Sequence, residues 1–419
     1  MCASPCSRYN RTIMQNKLVL TEVFTNALPV LEVLEQAGFE AYFVGGSVRD
    51  AMLGKDVNDV DIATSAFPNE IQALFKKTID VGIEHGTVMV LWEKETYEIT
   101  TFRTESTYQD FRRPDSVTFV RSLAEDLKRR DFTINALAMD KDGCITDLFD
   151  GIDDLNHQVI RAVGVPDERF GEDALRMMRA TRFSAQLGFD IEEETVLALK
   201  KNTSLLEHIA IERIQIEFIK MCLGQFKYKG LTYFVKSDLY EFCPGLNKEA
   251  LKKFSAIEHS LDNERQIWAT YLLLDEYVPN QINAFMKSWK LSNKLIQQVA
   301  SLFQSVNYRI ESSADLLYIY RLGKELALET ENILHYLQYP SDPEAVLFIY
   351  ETLPIHSKQD LAVTGKDLLK LTNSKAGKWL GDALKHIEEA VVLGKLNNSK
   401  QEIITWTKQQ ALIPETDNN

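Results

Sequence analysis

The stretch AYFVGGSVRD at residues 41–50, followed by DVDIAT at residues 59–64, decides the fold class of the chain. Its first four residues predict a buried strand, and the pair Gly45-Gly46 predicts a turn that opens a short helix. A lone glycine pair is usually only a tight turn, but glycine also lets a backbone approach a phosphate, and free N–H groups at a helix start bind anions. Because two carboxylates follow closely, we expect a phosphate-binding turn, with Arg49 reaching the same phosphates.

The acidic pair is Asp59 and Asp61, in a predicted second strand over residues 57–62. Residues i and i+2 of a strand share one face, so two carboxylates would repel each other unless a cation lay between them. Magnesium is the hard divalent ion that such oxygen ligands favour, although surface strands also carry such pairs. Glu98, in a predicted strand over residues 97–102, is a third candidate, as a metal ligand or as a base for an attacking hydroxyl. A solvated strand glutamate is an equal alternative for Glu98.

The segment RRDFTIN at residues 129–135 carries a second set of candidates. Arginine offers a fork of donors to a phosphate, and Asp or Asn accepts hydrogen bonds from ribose hydroxyls. We therefore expect Arg130, Asp131 and Asn135 to contact a nucleotide. A surface charge cluster is the alternative.

The segment EDALRMMRATRF at residues 172–183 predicts a helix, on which Asp173, Arg176, Arg179 and Arg182 form one polar stripe at spacings of three. Phe183 is expected on the packed side of this helix. One acid followed by three arginines leaves an excess of positive charge, which favours an external anion over a helix held by its own salt bridges.

The pair Asp173 and Arg176 also matches particular bases. A carboxylate only accepts hydrogen bonds and a guanidinium only donates them. Cytosine and adenine each place a donating amine beside an accepting ring nitrogen, whereas uracil and guanine present the opposite pattern. The pair could therefore select C and A and reject U and G.

Composition limits the class of protein. The 419 residues include 45% hydrophobic and 26% charged residues, which is typical of a folded globular protein and argues against disorder and a membrane bundle. The net charge of −14 is a weak objection to nucleic acid, because residues 361–408 hold eight lysines against five acids. Five cysteines are too few for a disulfide scaffold, so we expect reduced thiols and a cytoplasmic location without a membrane span.

The chain changes character near residue 150. Short strand-like segments alternate with helices before it, and helical periodicity dominates after it. We therefore predict an α+β N-terminal domain with a mixed sheet of about five strands, followed by an all-α remainder. Pro29 should break or begin the first helix, which is otherwise predicted over residues 22–37.

Five ordered motifs together resemble the class II tRNA nucleotidyltransferases, the family of CCA-adding enzymes and bacterial poly(A) polymerases. They lie at residues 45–50, 59–64, 129–136, 172–183 and 212–214. The resemblance implies a nucleotidyltransferase head (residues 14–158), a neck carrying the base template (159–225), a helical body (226–330) and a tRNA-binding tail (331–412). It also implies that residues 212–217 brace the neck.

The resemblance further implies an activity. The enzyme would add CCA to the 3′ end of tRNA from CTP and ATP, releasing pyrophosphate and gripping the acceptor and T arms. Mg²⁺ would bind Asp59 and Asp61. Nucleotide contacts would come from the glycine turn and from arginines and one acid: Gly46, Arg49, Arg130, Asp173, Arg176, Arg179 and Arg182. A poly(A) polymerase, or an enzyme adding only CC or only A, is the alternative. The segment 108–114 resembles the flexible loop of enzymes that add the terminal A.

Overall fold

The computed structural model describes residues 17–105, 117–372 and 374–414. The chain divides into two compact units. The first holds residues up to Ala256 together with Ser288–Lys290, and the second holds Ile257–Lys287 and the residues from Leu291 onward. The unit boundary lies inside the segment predicted as the body, and the four-domain division stays a prediction.

In the part of the chain that the structure describes, every strand lies in the first unit. They are β1 (Ala41–Val44), β2 (Asp61–Thr64), β3 (Thr78–Gly82), β4 (Thr87–Trp92), β5 (Glu95–Thr101), β6 (Arg103–Glu105), β7 (Val117–Phe119), β8 (Leu137–Met139), β9 (Ile145–Asp147), β10 (Val159–Ile160) and β11 (Asp190–Ile191). Seven of them form a mixed sheet in the order β3-β4-β5-β2-β1-β8-β9, in which only β2 and β5 pair in parallel. The predicted mixed sheet is confirmed, with seven strands rather than about five. The edge strand β3 exposes Ile79 and Val81, and β9 has three residues, so neither carries a clear strand pattern.

Helices are the other main elements of both units. The first unit contains α1 (Glu22–Gln36), α2 (Gly46–Met52), α3 (Pro68–Leu74), α4 (Leu123–Lys128), α5 (Gly151–His157), α6 (Pro166–Glu172), α7 (Leu175–Leu187), α8 (Glu193–Asn202), α9 (Ile211–Cys222), α10 (Lys227–Lys236) and α11 (Lys248–Ser255). From residue 264 onward follow α12 (Glu264–Leu274), α13 (Pro279–Ser288), α14 (Asn293–Glu311), α15 (Leu316–Leu322), α16 (Lys324–Tyr336), α17 (Pro343–Thr352), α18 (Gly365–Leu369), α19 (Lys378–Val392) and α20 (Lys400–Gln409). Within the described ranges, none of these helices has the length and apolar character needed to cross a bilayer.

Two predictions about helices are wrong. Pro29 lies inside α1, which runs through it without a break. Packing of the apolar face of α1, including the contact of Phe24 with Phe43 at 5.0 Å between ring centroids, outweighs the hydrogen bond that proline removes. The predicted single helix over residues 172–183 is interrupted at Asp173, whose backbone is extended and whose Oδ1 accepts a hydrogen bond from the N–H of Leu175 at 3.0 Å.

The predicted second strand begins later than expected. Strand β2 starts at Asp61, where it pairs with Val44, the last residue of β1. Because β1 ends there and the chain turns at Gly45, residues 57–60 have no partner strand on that side. Asp59 therefore lies in the loop before β2, and the argument that both aspartates share one strand face was wrong for Asp59.

Candidate nucleotidyltransferase site

The acidic residues meet at the start of the parallel pair β2 and β5. Asp61 is in register with Glu98, so these two side chains lie on neighbouring strands. Asp59, Asp61 and Glu98 are all exposed to solvent, and none forms a hydrogen bond or salt bridge with a described residue. Desolvation by the surrounding protein and the charges of Glu98 and Asp59 raise the pKa of Asp61, while Arg130 opposes that rise.

This group fits a hard divalent cation in part. The carboxylate oxygens are unpaired, and their mutual repulsion would be relieved by a cation. Among the described residues, no three His, Cys, Asp or Glu side chains converge closely enough to hold a metal by themselves. A cation bound between Asp59 and Asp61 would therefore need further oxygen ligands from water or from a substrate phosphate, which is how magnesium is commonly held.

The glycine turn lies beside two arginines. Gly45 has a φ of +73°, a conformation that favours glycine, and α2 begins at the next residue. A Cβ atom on Gly45 would lie 3.0 Å from Nη1 of Arg130, and one on Gly46 would lie 3.6 Å from Nη2 of Arg49. The missing side chain of Gly45 thus makes room for the guanidinium of Arg130, whereas a Cβ on Gly46 would meet Arg49 at an ordinary contact distance. Nε of Arg130 is buried and donates to no described atom, so a donor remains for a ligand at this point.

Asp126 positions Arg130, and the sequence reasoning missed it. Its side chain is 1% exposed and accepts hydrogen bonds from Arg129 at 2.8 Å and from Arg130 at 3.1 Å. Burial alone would raise the pKa of Asp126, but the two guanidinium groups outweigh burial and hold it below its ordinary value. The spacing of three and four residues from Asp126 to the arginines was the signal that could have revealed this clamp.

Asp131 and Asn135 connect the turn to helix α7. Arg49 donates to Oδ1 of Asn135 at 2.6 Å, Asn135 donates to Oδ1 of Asp131 at 3.0 Å, and Arg179 donates to Oδ2 of Asp131 at 2.7 Å. Burial would raise the pKa of Asp131, yet Arg179 and Asn135 bring it far below the ordinary value. These oxygens are thus committed to orienting two arginines, and their predicted contact with a ribose stays a prediction.

Phe183 lies under three arginines rather than only in packing. Its ring centroid is 4.0 Å from the guanidinium carbon of Arg182, 5.1 Å from that of Arg49 and 5.2 Å from that of Arg179. Arg182 also pairs with Glu217 on α9, in the segment expected to brace the neck. Sequence reasoning expected Phe183 to pack, as it does against Phe132, but missed its contact with the arginines.

Each of the three arginines of the polar stripe on α7 pairs with its own carboxylate. Arg176 pairs with Glu172 at 2.6 Å, as Arg179 does with Asp131 and Arg182 with Glu217. The excess positive charge inferred from sequence is therefore compensated by carboxylates, two of them distant in sequence, and the charge count alone does not point to an external anion.

The predicted base-reading pair is held by other residues. Oδ2 of Asp173 accepts from Arg213 at 3.1 Å, and Arg176 donates from Nη2 to the carbonyl of Arg129 at 2.8 Å. Each side chain is thus fixed independently, and the structure brings them to the same helix break without bonding their side chains to each other. The segment 108–114 lies outside the described residues.

The site thus combines arginines at a glycine turn with nearby carboxylates that form no salt bridge with a described residue. This combination suits the transfer of a phosphate-bearing group with help from a divalent ion. On a mixed sheet of this kind, that site defines the nucleotidyltransferase class.

Comparisons with known proteins extend this conclusion over the whole chain. Residues 41–161 match the family model described as "Poly A polymerase head domain". Residues 188–249 match "Probable RNA and SrmB- binding site of polymerase A", and residues 259–407 match "tRNA nucleotidyltransferase domain 2 putative". The chain is 51% identical over 391 residues to a CCA-adding enzyme of Enterococcus faecalis, covering 92% of this chain and 96% of the relative. It is 46% identical over 396 residues to that of Bacillus subtilis, covering 93% and 99%.

A solved structure of a CCA-adding enzyme has a similar fold over most of the chain. The CCA-adding enzyme of Bacillus stearothermophilus, in complex with CTP, has a TM-score of 0.85 and 39% identity, and covers 94% of this chain and 98% of its own. The chain belongs to the CCA-adding enzyme family of tRNA nucleotidyltransferases, whose members use a divalent metal cation. The predicted fold class and family are therefore confirmed.

Proposed function

We propose that the chain builds the CCA end of tRNA, adding C twice and then A from CTP and ATP and releasing pyrophosphate. The observation that carries this proposal is the register of Asp61 with Glu98 beside the glycine turn and its arginines. The relatives named CCA-adding enzymes, at 46–51% identity over more than 90% of the chain, favour this activity over a poly(A) polymerase or a partial CCA reaction.

We propose Mg²⁺ as the divalent cation and Asp59 and Asp61 as its protein ligands. Bound there, it would lower the pKa of the attacking 3′-hydroxyl and neutralise charge on the phosphates. The raised pKa of Asp61 supports the assignment, because desolvation and the charges of Glu98 and Asp59 disfavour its charged form, which a bound cation would stabilise. Glu98, one strand away, would be a further ligand of the cation or would accept the proton of the attacking hydroxyl.

The arginines would hold the triphosphate. Arg49 and Arg130 lie at the glycine turn, and the unpaired Nε of Arg130 offers a donor there. Gly46 opens the turn so that backbone and guanidinium groups reach the same phosphate oxygens. Arg179 and Arg182, fixed over Phe183, would bind the remaining phosphates. Because carboxylates and Phe183 fix these groups, they need little reorganisation when the nucleotide binds.

Asp173 and Arg176 would select the base. Arg213 and Glu172 orient them separately, so the carboxylate can accept from an amine while the guanidinium donates to a ring nitrogen. This donor and acceptor order fits C and A and opposes U and G.

We propose that the four predicted domains correspond to head, neck, body and tail, and that the body and tail bind the acceptor and T arms of tRNA. The lysines of residues 361–408 supply positive charge for RNA phosphates in that tail. Because the substrate is tRNA, the reaction would take place in the cytoplasm.

The test is primer extension with Mg²⁺, each nucleoside triphosphate separately, and tRNA ending before C74, after C75 or after A76. We expect C, C and A to be added and extension then to stop. Continued addition of A without C would replace the proposal by poly(A) synthesis, and addition of only C or only the final A would replace it by a partial reaction. A matched Asp61→Asn protein should show no addition.

A further inference from the structure

A cavity of about 410 Å³ lies in the second unit and is lined by α14, α15 and the residue before α15. Ligand pockets in proteins commonly measure roughly 300–1,000 Å³, so a nucleoside-sized group fits. Its lining combines aromatic rings with polar side chains: Ser301, Gln304, Tyr308, Asp315, Tyr318 and Arg321. None of these residues belongs to the nucleotidyltransferase site.

Two tyrosines form a ring stack at this cavity. Tyr308 and Tyr318 have ring centroids 4.9 Å apart and planes inclined by 18°. Hydrogen bonds hold Tyr318 in place. Its hydroxyl is hydrogen-bonded to the hydroxyl of Ser305, which in turn lies 2.6 Å from the hydroxyl of Thr330. Tyr308 is 42% exposed, and its hydroxyl has no hydrogen bond to a described residue. A half-exposed aromatic ring thus rests on a rigid one.

Polar side chains that can form further hydrogen bonds surround the two stacked tyrosines. The side chains of Ser301 and Gln304 are exposed and form no hydrogen bond with a described residue. An amide and a hydroxyl supply both donors and acceptors. Arg321 donates to Glu389 at 2.6 Å from Nη2, which orients the guanidinium and leaves further N–H groups for a ligand.

We propose that this site, the Tyr308 cavity, binds one unpaired nucleobase of the RNA substrate, stacked on Tyr308 and contacted at its edge by Gln304 and Arg321. Proteins recognise unpaired RNA bases by aromatic stacking together with hydrogen bonds to the base edges, which is the combination present here. The inference rests on the proposed function, since it assumes that tRNA is the bound RNA.

The test compares Tyr308→Ser with Tyr339→Ser, which removes a tyrosine of the second unit that is 43% exposed. The dissociation constant for tRNA lacking CCA is measured by filter binding at several salt concentrations. Stacking of one base is worth about 1–3 kcal/mol, so we expect Tyr308→Ser to weaken binding about 5- to 150-fold. Tyr339→Ser and Tyr308→Trp should bind like the wild type. The salt dependence should not change, because no phosphate contact is lost.

Equal affinities of Tyr308→Ser and the wild type, or equal losses in both serine variants, would overturn the proposal. Cross-linking of wild-type protein to tRNA containing 4-thiouridine gives a second measurement that needs no variant to fold. A cross-linked peptide containing Tyr308 supports the cavity, and cross-links found only elsewhere reject it. Failure of the wild type to add CCA would reject the proposed function instead, because binding and cross-linking are measured without catalysis.

Discussion

Replacing Phe183 by leucine should raise KM for CTP and ATP more than it lowers kcat. Leucine keeps an apolar side chain in the buried position but removes the ring face on which the guanidinium groups of Arg49, Arg179 and Arg182 lie. Those arginines would then lose their fixed positions, and the triphosphate would have to order them on binding.

The magnitude follows from the contacts. A cation–π contact is worth about 0.5–1 kcal/mol at the surface and about 2 kcal/mol when desolvated. Arg182 is the nearest, at 4.0 Å, and is only 9% exposed, so its contact lies toward the upper figure. The other two contacts are longer and share one ring, so we do not add them in full. A loss of about 1–2 kcal/mol corresponds to a KM about 5- to 30-fold higher, at 1.4 kcal/mol per factor of ten.

The assay is steady-state addition of A to tRNA ending in CC, with ATP varied. Phe132→Leu is the matched control, because Phe132 packs edge-on against Phe183 at 5.8 Å and is fully buried. It should disturb packing without removing the ring beneath the arginines, whereas Phe183→Tyr should preserve that ring. An unchanged KM in Phe183→Leu, or the same rise in both leucine variants, would refute the role of the ring.

Three further predictions concern single residues. Asp61→Asn should abolish CCA addition yet raise the melting temperature at neutral pH, because the raised pKa means that the charged carboxylate destabilises the folded state. Calorimetry with and without Mg²⁺ measures this change. A rise in melting temperature on adding Mg²⁺ that persists in the variant would contradict the metal assignment. The stability that Asp61 contributes is present below its ordinary pKa and lost as the pH rises through its folded pKa. Arg176→Ala should admit UTP and GTP, which competition assays measure, and clean rejection of both would refute the template role. Asp126→Asn should lower stability by about 3–5 kcal/mol, because it leaves two guanidinium groups without their buried counter-charge. The contribution of Asp126 is present above its ordinary pKa and lost as pH falls through its lowered folded pKa, so denaturant titrations of wild type and variant should converge in acid.

Local patterns were sufficient for the central part of the fold. The strand of residues 41–44, the turn at Gly45 and the helix after it were all predictable, because buried residues, a positive φ and a helix start each have a local sequence signal. The hairpin joining β4 and β5 was likewise predictable from its short connection. The register of Asp61 with Glu98 was not, because it depends on which distant strands become neighbours.

In the site, too, local features were predictable and contacts between distant residues were not. Residue types and spacing identified the arginines, but not the acids that orient them, since Glu217 and Asp131 reach Arg182 and Arg179 from positions 35 and 48 residues away. The break at Asp173 escaped prediction because the segment interpreted as a helix began at residue 172, after Gly171, and because the break depends on a side-chain cap. Phe183 escaped because an aromatic residue on a helix usually indicates packing rather than support for cations.

The pairing of each arginine with a carboxylate bears on how nucleotides arrive. Because nearby carboxylates offset much of their charge, these arginines produce only a weak potential beyond about 10 Å in ordinary salt, so approaching anions are not strongly attracted from a distance. Selection then depends on close-range donor geometry, which only a triphosphate of the right shape satisfies. Added salt should therefore slow nucleotide capture less than it weakens the binding of RNA, which relies on the excess of lysines over acids at residues 361–408.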